Sequence, residues 1–176
     1  IYTGIASGVN VDMRQGVGDR FMVQSVFENI HSIMKSRKVK EEVALKLIAQ
    51  HLSQPKDSLS TKVCTAESLE LLYELVPEEE RKKVVVEGNL NQTYQNLVRR
   101  IHSDRSNVIY RIVHSKKFIP HYSILALNNL QFKRVKTSDL IQINFKSTDP
   151  GITYNTLVFF SCLLYTSPSP RDTEVS

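Results

Sequence analysis

The chain has 176 residues, 41% hydrophobic content and a formal net charge of +5. This length suits one domain around one hydrophobic core. No run of ~18 consecutive apolar residues occurs, which argues against a membrane-spanning helix in the chain, and the basic clusters lack the interleaved aromatics typical of nucleic-acid-binding proteins.

Periodic apolar residues predict the secondary structure in chain order. Spacing typical of helices and strict alternation typical of strands predict a strand at 1–7, helices at 19–35, 39–52, 66–75, 90–103 and 108–113, a strand at 130–133, a strand at 140–146 and a helix from 150. In the last strand Ile141, Ile143 and Phe145 share one face. Thr65 and Asp149 precede helices and are predicted to cap them.

The two late strands are predicted to pair as an antiparallel hairpin, because a parallel crossover needs a dozen or more intervening residues. A hairpin alone is marginal in water. The segment 1–7 is the best candidate for a third strand. The predicted fold class is therefore α+β, with a small, mostly antiparallel sheet of about three strands packed against several helices.

The end of the chain differs in composition from the rest. Cys162–Asp172, CLLYTSPSPRD, resembles the translation of a sequencing adapter; the alternative is an ordinary disordered tail rich in Ser and Pro. We therefore expect residues 162–176 to be disordered and outside the fold, and the domain to cover residues 1–161. We also expect the chain to be a fragment that is truncated at both ends. Cys64 is then the one cysteine of the domain, so no disulfide framework is expected.

Several segments of the chain resemble the sequences of one protein family. These segments are SDLIQINFKSTDPGITYNTL at 138–157, IYTGIASG at 1–8, SRKVKEEVALKLIAQHL at 36–52, His121–Ser123 and Leu130–Leu140. In this order and spacing they resemble the periplasmic domain of the polysaccharide chain-length determinant (Wzz) family, in its Bacteroidota capsular and exopolysaccharide forms. The resemblance runs from residue 1 to about 161. Its motif residues, with expected structural roles, are Gly4, Asp139, Asp149, Pro150 and Gly151.

The resemblance implies a non-catalytic domain at the periplasmic face of the bacterial inner membrane, anchored by transmembrane helices outside this chain. It implies a homo-oligomer that regulates chain length in lipopolysaccharide, capsule or exopolysaccharide biosynthesis. The implied partners are the growing polysaccharide or its lipid carrier and the polymerase, and no cofactor is implied. Some family members are fused to a tyrosine kinase, so a periplasmic sensor domain of a membrane-bound tyrosine kinase is the alternative.

Residues suited to catalysis or metal binding form no recognisable motif. None of the five histidines lies in an H-E-x-x-H or C-x-x-C context. His51, on the apolar stripe of its helix, is predicted to be a buried histidine with a satisfied hydrogen bond. Glu78, Glu79 and Glu80 are better explained by the dipole of a following helical turn than by paired acid–base catalysis. A periplasmic hydrolase or transferase therefore stays the least supported hypothesis.

Basic residues occur in three clusters, which are the candidate contacts with an anionic partner: Arg81, Lys82 and Lys83, then Arg99 and Arg100, then Lys116 and Lys117. Such clusters attract acidic glycans, phosphorylated lipid carriers or lipid headgroups. The alternative is that they are simply solvated helix faces.

Overall fold

Seven α-helices and a two-stranded sheet make up the part of the chain that the computed structural model describes, which is residues 18–55, 60–136 and 140–166. The helices are α1 (Gly18–Lys35), α2 (Arg37–Ser53), α3 (Ala66–Leu75), α4 (Glu78–Val84), α5 (Leu90–Ser103), α6 (Val108–Val113) and α7 (Pro150–Thr166), with a 3-10 helix at Ala126–Asn129 and strands β1 (Gln131–Arg134) and β2 (Ile141–Asn144). The fold class is α+β, as predicted.

Side-chain caps begin most of these helices. The hydroxyl of Thr65 accepts a hydrogen bond from the Ser68 amide at 3.3 Å, and a carboxylate oxygen of Asp149 accepts one from the Ile152 amide at 3.1 Å. Both predicted caps are thus confirmed. Asn107 does the same for α6. Each cap satisfies a backbone donor that the first turn of a helix leaves free.

The hairpin is antiparallel, with Phe132 opposite Ile143 and Gln131 opposite Asn144. The predicted alternation is confirmed in β2: Ile141 is buried, whereas Gln142 is exposed. Strand β1 has the predicted length but begins one residue later, at Gln131, whereas β2 is shorter than predicted, with four residues.

The sheet has two strands within the described residues, rather than about three. The proposed third strand at 1–7 lies outside the described residues, as do the motif residues Gly4 and Asp139.

Helix α2 lies at the centre of the core. It packs against α1, α5, α6 and α7. The stripe predicted from spacing (Val43, Leu47, Ile48 and His51) is buried, but Leu45 and Ala49 on another side of the helix are buried as well. A helix buried around most of its circumference is expected where partners cover several of its sides.

Helix α7 continues past the boundary predicted at residue 161. It extends to Thr166, and Leu163 is only 9% exposed. The first five residues of the segment assigned to a disordered end are therefore helical, because α7 still has apolar neighbours there. Among the described helices, none combines the length and the apolar character needed to cross a bilayer.

Candidate functional site

In two of the predicted basic clusters, three of the five cations form ion pairs with glutamates of α4. Lys82 pairs with Glu78 and Lys83 with Glu80, both at 2.7 Å. Arg100 makes two 3.1 Å contacts with the same Glu80 carboxylate. Hydrogen bonds from Lys83 and Arg100 hold the pKa of Glu80 below its usual value. These cations are thus partly neutralised before any partner arrives.

Arg81 has a structural role in the same region. Its Nη1 donates to the backbone oxygens of Tyr73 at 3.0 Å and Val76 at 2.7 Å. Its guanidinium also lies 4.4 Å from the centre of the Tyr73 ring. Arg81 therefore joins α4 to the C-terminal end of α3. Arg99 donates to Asn96 on its own helix at 2.7 Å.

We expect Arg81→Gln to lower the free energy of unfolding by about 1–3 kcal/mol, since it removes charge-assisted hydrogen bonds and a cation–π contact. Lys82→Gln removes the same charge from an exposed ion pair and should change the free energy of unfolding by less than about 0.5–1 kcal/mol. Urea denaturation of both variants measures the difference. Equal losses would contradict the structural role of Arg81.

The third cluster is different, because Lys116 lines a cleft. This cleft has a volume of about 530 Å³ and is lined by further polar and basic side chains, namely Lys35, Arg37, Lys40, His114, Ser115 and Asn128, together with Ile124 and Leu125. Lys117 is exposed and does not line it.

A second cleft of about 380 Å³ shares Arg37 and His114 with the first. Its other lining residues are Glu41, Ile101, His102, Arg105 and Tyr110. The residues come from α2, α5, α6 and the loop between α5 and α6. We call the two together the His114 cleft. Sequence reasoning missed it, because no cluster in the chain brings these positions together.

His114 lines both halves of the cleft. Its side chain is 7% exposed, and its Nε2 lies 2.6 Å from a carboxylate oxygen of Glu41. Arg37 donates to its Nδ1 from Nη2 at 2.7 Å and from Nε at 3.2 Å. Since Arg37 has only donors and Glu41 only acceptors, the geometry assigns the proton of neutral His114 to Nε2. The Tyr110 ring packs 4.3 Å from the imidazole.

The surroundings of His114 favour its neutral form. Burial lowers its pKa; the Glu41 carboxylate acts in the opposite direction, and the Arg37 charge lowers it again. Lys40 has a lowered pKa for similar reasons, namely burial and the nearby Lys35 charge. Burial and the neighbouring cations therefore both disfavour further positive charge in this cleft.

The motif residues Asp149, Pro150 and Gly151 lie at the start of α7 and are not among the lining residues of the His114 cleft. Asp149 is 1% exposed, and besides capping α7 it accepts hydrogen bonds from the amide of Thr65 at 2.7 Å and its hydroxyl at 3.0 Å. Burial alone would raise the pKa of Asp149, but hydrogen bonds from Ser68, Thr65 and Ile152 outweigh burial and lower it. Pro150 occupies the first helical position and is exposed.

His51 is fully buried, and its Nδ1 lies 2.9 Å from the Tyr122 hydroxyl oxygen, whose proton is donated to the Ser68 carbonyl at 3.1 Å. The prediction of a satisfied helix histidine is confirmed for burial and for Nδ1, but not for the other ring nitrogen. Its Nε2 completes no hydrogen bond with a described residue, although the Val63 backbone is near enough to favour the protonated ring. Burial dominates and lowers the pKa of His51 to about 4.

Cys64 is buried, and burial together with the Asp149 charge raises the pKa of its thiol to about 12. The thiolate is the reactive form, so this side chain is inert.

No group of three or more His, Cys, Asp or Glu among the described residues is arranged to hold a metal ion. Comparison of the chain with known proteins finds no matching family model, no matching curated protein and no matching solved structure.

Proposed function

We propose that this domain is the non-catalytic periplasmic part of an inner-membrane polysaccharide co-polymerase of the chain-length determinant family. It regulates chain length in lipopolysaccharide, capsule or exopolysaccharide biosynthesis. The supporting observation is the strand–turn–helix unit of β2 and α7, which contains the longest stretch of family-like sequence. Asp149 ties the start of α7 to Thr65, and Gly151 allows α7 to approach the backbone at Val63. The motif residues that are described thus fix the start of α7 against the segment that precedes α3.

The proposed mechanism is assembly rather than reaction. Copies associate side by side and present a shared surface to the growing glycan, its lipid carrier or the polymerase. A closed ring needs two different patches on each subunit. Helices α1 and α5 each cover the central α2 with one face and carry exposed residues on the other, such as Glu28 on α1 and Gln95 on α5. These outer faces are the proposed patches.

We also propose that residues 1–7 add the third strand to the hairpin. A two-stranded sheet gains stability from a further strand, and each strand of the hairpin pairs along one edge within the described residues. This pairing would bring the early and late parts of the domain together at the bilayer, as a domain between two membrane helices requires.

Deleting the segment that encodes residues 1–161 from the intact gene should shift the modal length of the surface polysaccharide, measured as a ladder on a gel. The control is Lys82→Gln in the same gene, which should leave the ladder unchanged. A ladder unaffected by the deletion would overturn the proposal. If the ladder is unaffected but tyrosine phosphorylation of the membrane fraction changes, the kinase-sensor alternative is favoured.

A further inference from the structure

The His114 cleft carries an excess of positive charge at one place on the surface. Its lining includes five permanently or normally cationic side chains and one carboxylate: Lys35, Arg37, Lys40, Arg105 and Lys116, against Glu41. In the clusters of α4 and α5, by contrast, glutamates of α4 accompany the cations.

These cations lack ion-pair partners within the described part of the chain. Glu41 is engaged by His114 at 2.6 Å. Lys40 donates to the neutral amide of Asn128 at 2.7 Å, and Arg105 forms no ion pair with any described residue. The Glu41 carboxylate is the one negative charge against these five cations, so most of the repulsion among them is uncompensated, and a bound anion would relieve it.

Arg37 is held in a defined orientation before any ligand binds. Two of its N–H groups point to Nδ1 of the buried His114, and a guanidinium has five, so three remain for a ligand. Because Glu41 and Tyr110 fix the imidazole in turn, little side-chain freedom is left to lose on binding. Arg37 and Arg105 both line the smaller half of the cleft, as His114 does, so the two guanidiniums border the same space.

We propose that the His114 cleft binds a phosphate-type oxyanion between Arg37 and Arg105, and that the lysines of the adjoining half take a second negative group. The ligand class is a diphosphate or a phosphorylated sugar, whether free or carried by a lipid. A guanidinium matches the oxygens of a phosphate in a bidentate manner, and a doubly charged group engages two guanidiniums where a single carboxylate engages one. This inference goes beyond the proposed function, because it needs only the charges and geometry of the cleft.

The test is calorimetric titration of the full 176-residue protein with inorganic pyrophosphate and, separately, with glucuronate at the same ionic strength. Pyrophosphate should bind saturably and more tightly than glucuronate. Arg37→Gln and Arg105→Gln should each weaken its binding by about tenfold or more. Arg99→Gln is the matched control: it removes the same charge outside the cleft and should change the affinity less than about twofold.

Three outcomes would overturn the proposal: no saturable binding of pyrophosphate, equal or tighter binding of glucuronate, or equal losses in all three arginine variants, which indicates diffuse attraction. Circular dichroism melts check that each variant folds. If Arg37→Gln unfolds, Arg105→Gln decides, because Arg105 is exposed.

A last pair of titrations identifies the source of the phosphate. Competition by glucose 1-phosphate supports the proposal with a soluble ligand. Binding to phosphatidylcholine vesicles only when they contain phosphatidic acid supports it with a membrane-held one.

Discussion

Replacing Gly151 by alanine is expected to destabilise the domain by about 3 kcal/mol or more, or to prevent folding. A Cβ at this position would lie 2.6 Å from the Val63 carbonyl oxygen, 2.7 Å from its carbonyl carbon and 2.8 Å from the Thr61 carbonyl oxygen. All three atoms belong to the backbone, so no side-chain rotation can relieve the clash. Either α7 or the segment at 61–63 must shift, which would also disturb the bonds that Asp149 makes to Thr65. Thermal and urea unfolding measure the loss.

Gly88 supplies the control for Gly151. It has a φ of +71°, and a Cβ there meets nothing within 4 Å. Asparagine tolerates this left-handed conformation, so Gly88→Asn should cost less than about 1 kcal/mol. If Gly151→Ala were as stable as Gly88→Asn, the close approach of α7 to Val63 would be wrong.

The second large effect is a loss of stability on acidification that depends on His51. The pKa of this buried side chain falls from 6.5 in the unfolded chain to about 4 in the folded protein. The unfolded state therefore binds the proton more readily. The contribution of neutral His51 to the free energy of unfolding is fully present above pH 6.5. It is lost progressively as the pH falls towards 4, at up to about 1.4 kcal/mol per pH unit. Between pH 7.5 and pH 5 we expect about 2 kcal/mol to be lost through His51.

Urea unfolding as a function of pH checks this expectation. His51→Gln should have a lower free energy of unfolding at pH 7.5 but a clearly flatter decline towards pH 5. His102→Gln, which changes an exposed histidine, should keep the wild-type slope. Some decline remains in His51→Gln because burial also lowers the pKa values of His114 and His121. An unchanged slope in His51→Gln would show that His51 is not the group responsible.

Local features of the fold could be predicted because neighbouring residues determine them. The Thr65 cap depends on residues three positions apart, and the exposure pattern of β2 depends on simple alternation. The burial of α2 on several faces could not be predicted, because α5 and α7 create it and both come later in the chain. The end of α7 was misplaced for a related reason: Leu163 is held by tertiary packing, while composition indicated a change at residue 162.

The candidate site, too, depends on residues that are distant in the chain and could not be predicted from local sequence. Clusters of consecutive cations indicated Lys82 and Arg100 as partner contacts, but Glu78 and Glu80 of α4 form ion pairs with them. The His114 cleft combines residues that are far apart in the chain, such as Arg37 and His114, which are 77 positions apart, and has no signature in the linear chain. Lys116 belongs both to a predicted basic cluster and to the lining of the His114 cleft, and only the tertiary structure distinguishes it from the other clustered cations.

The central place of α2 has a consequence for how the domain opens. Four other helices rest on α2, so its backbone amides cannot reach solvent through a small local fluctuation. They become accessible only when most of the structure separates at once, so their exchange with solvent deuterium reports the cooperative unfolding of the whole domain.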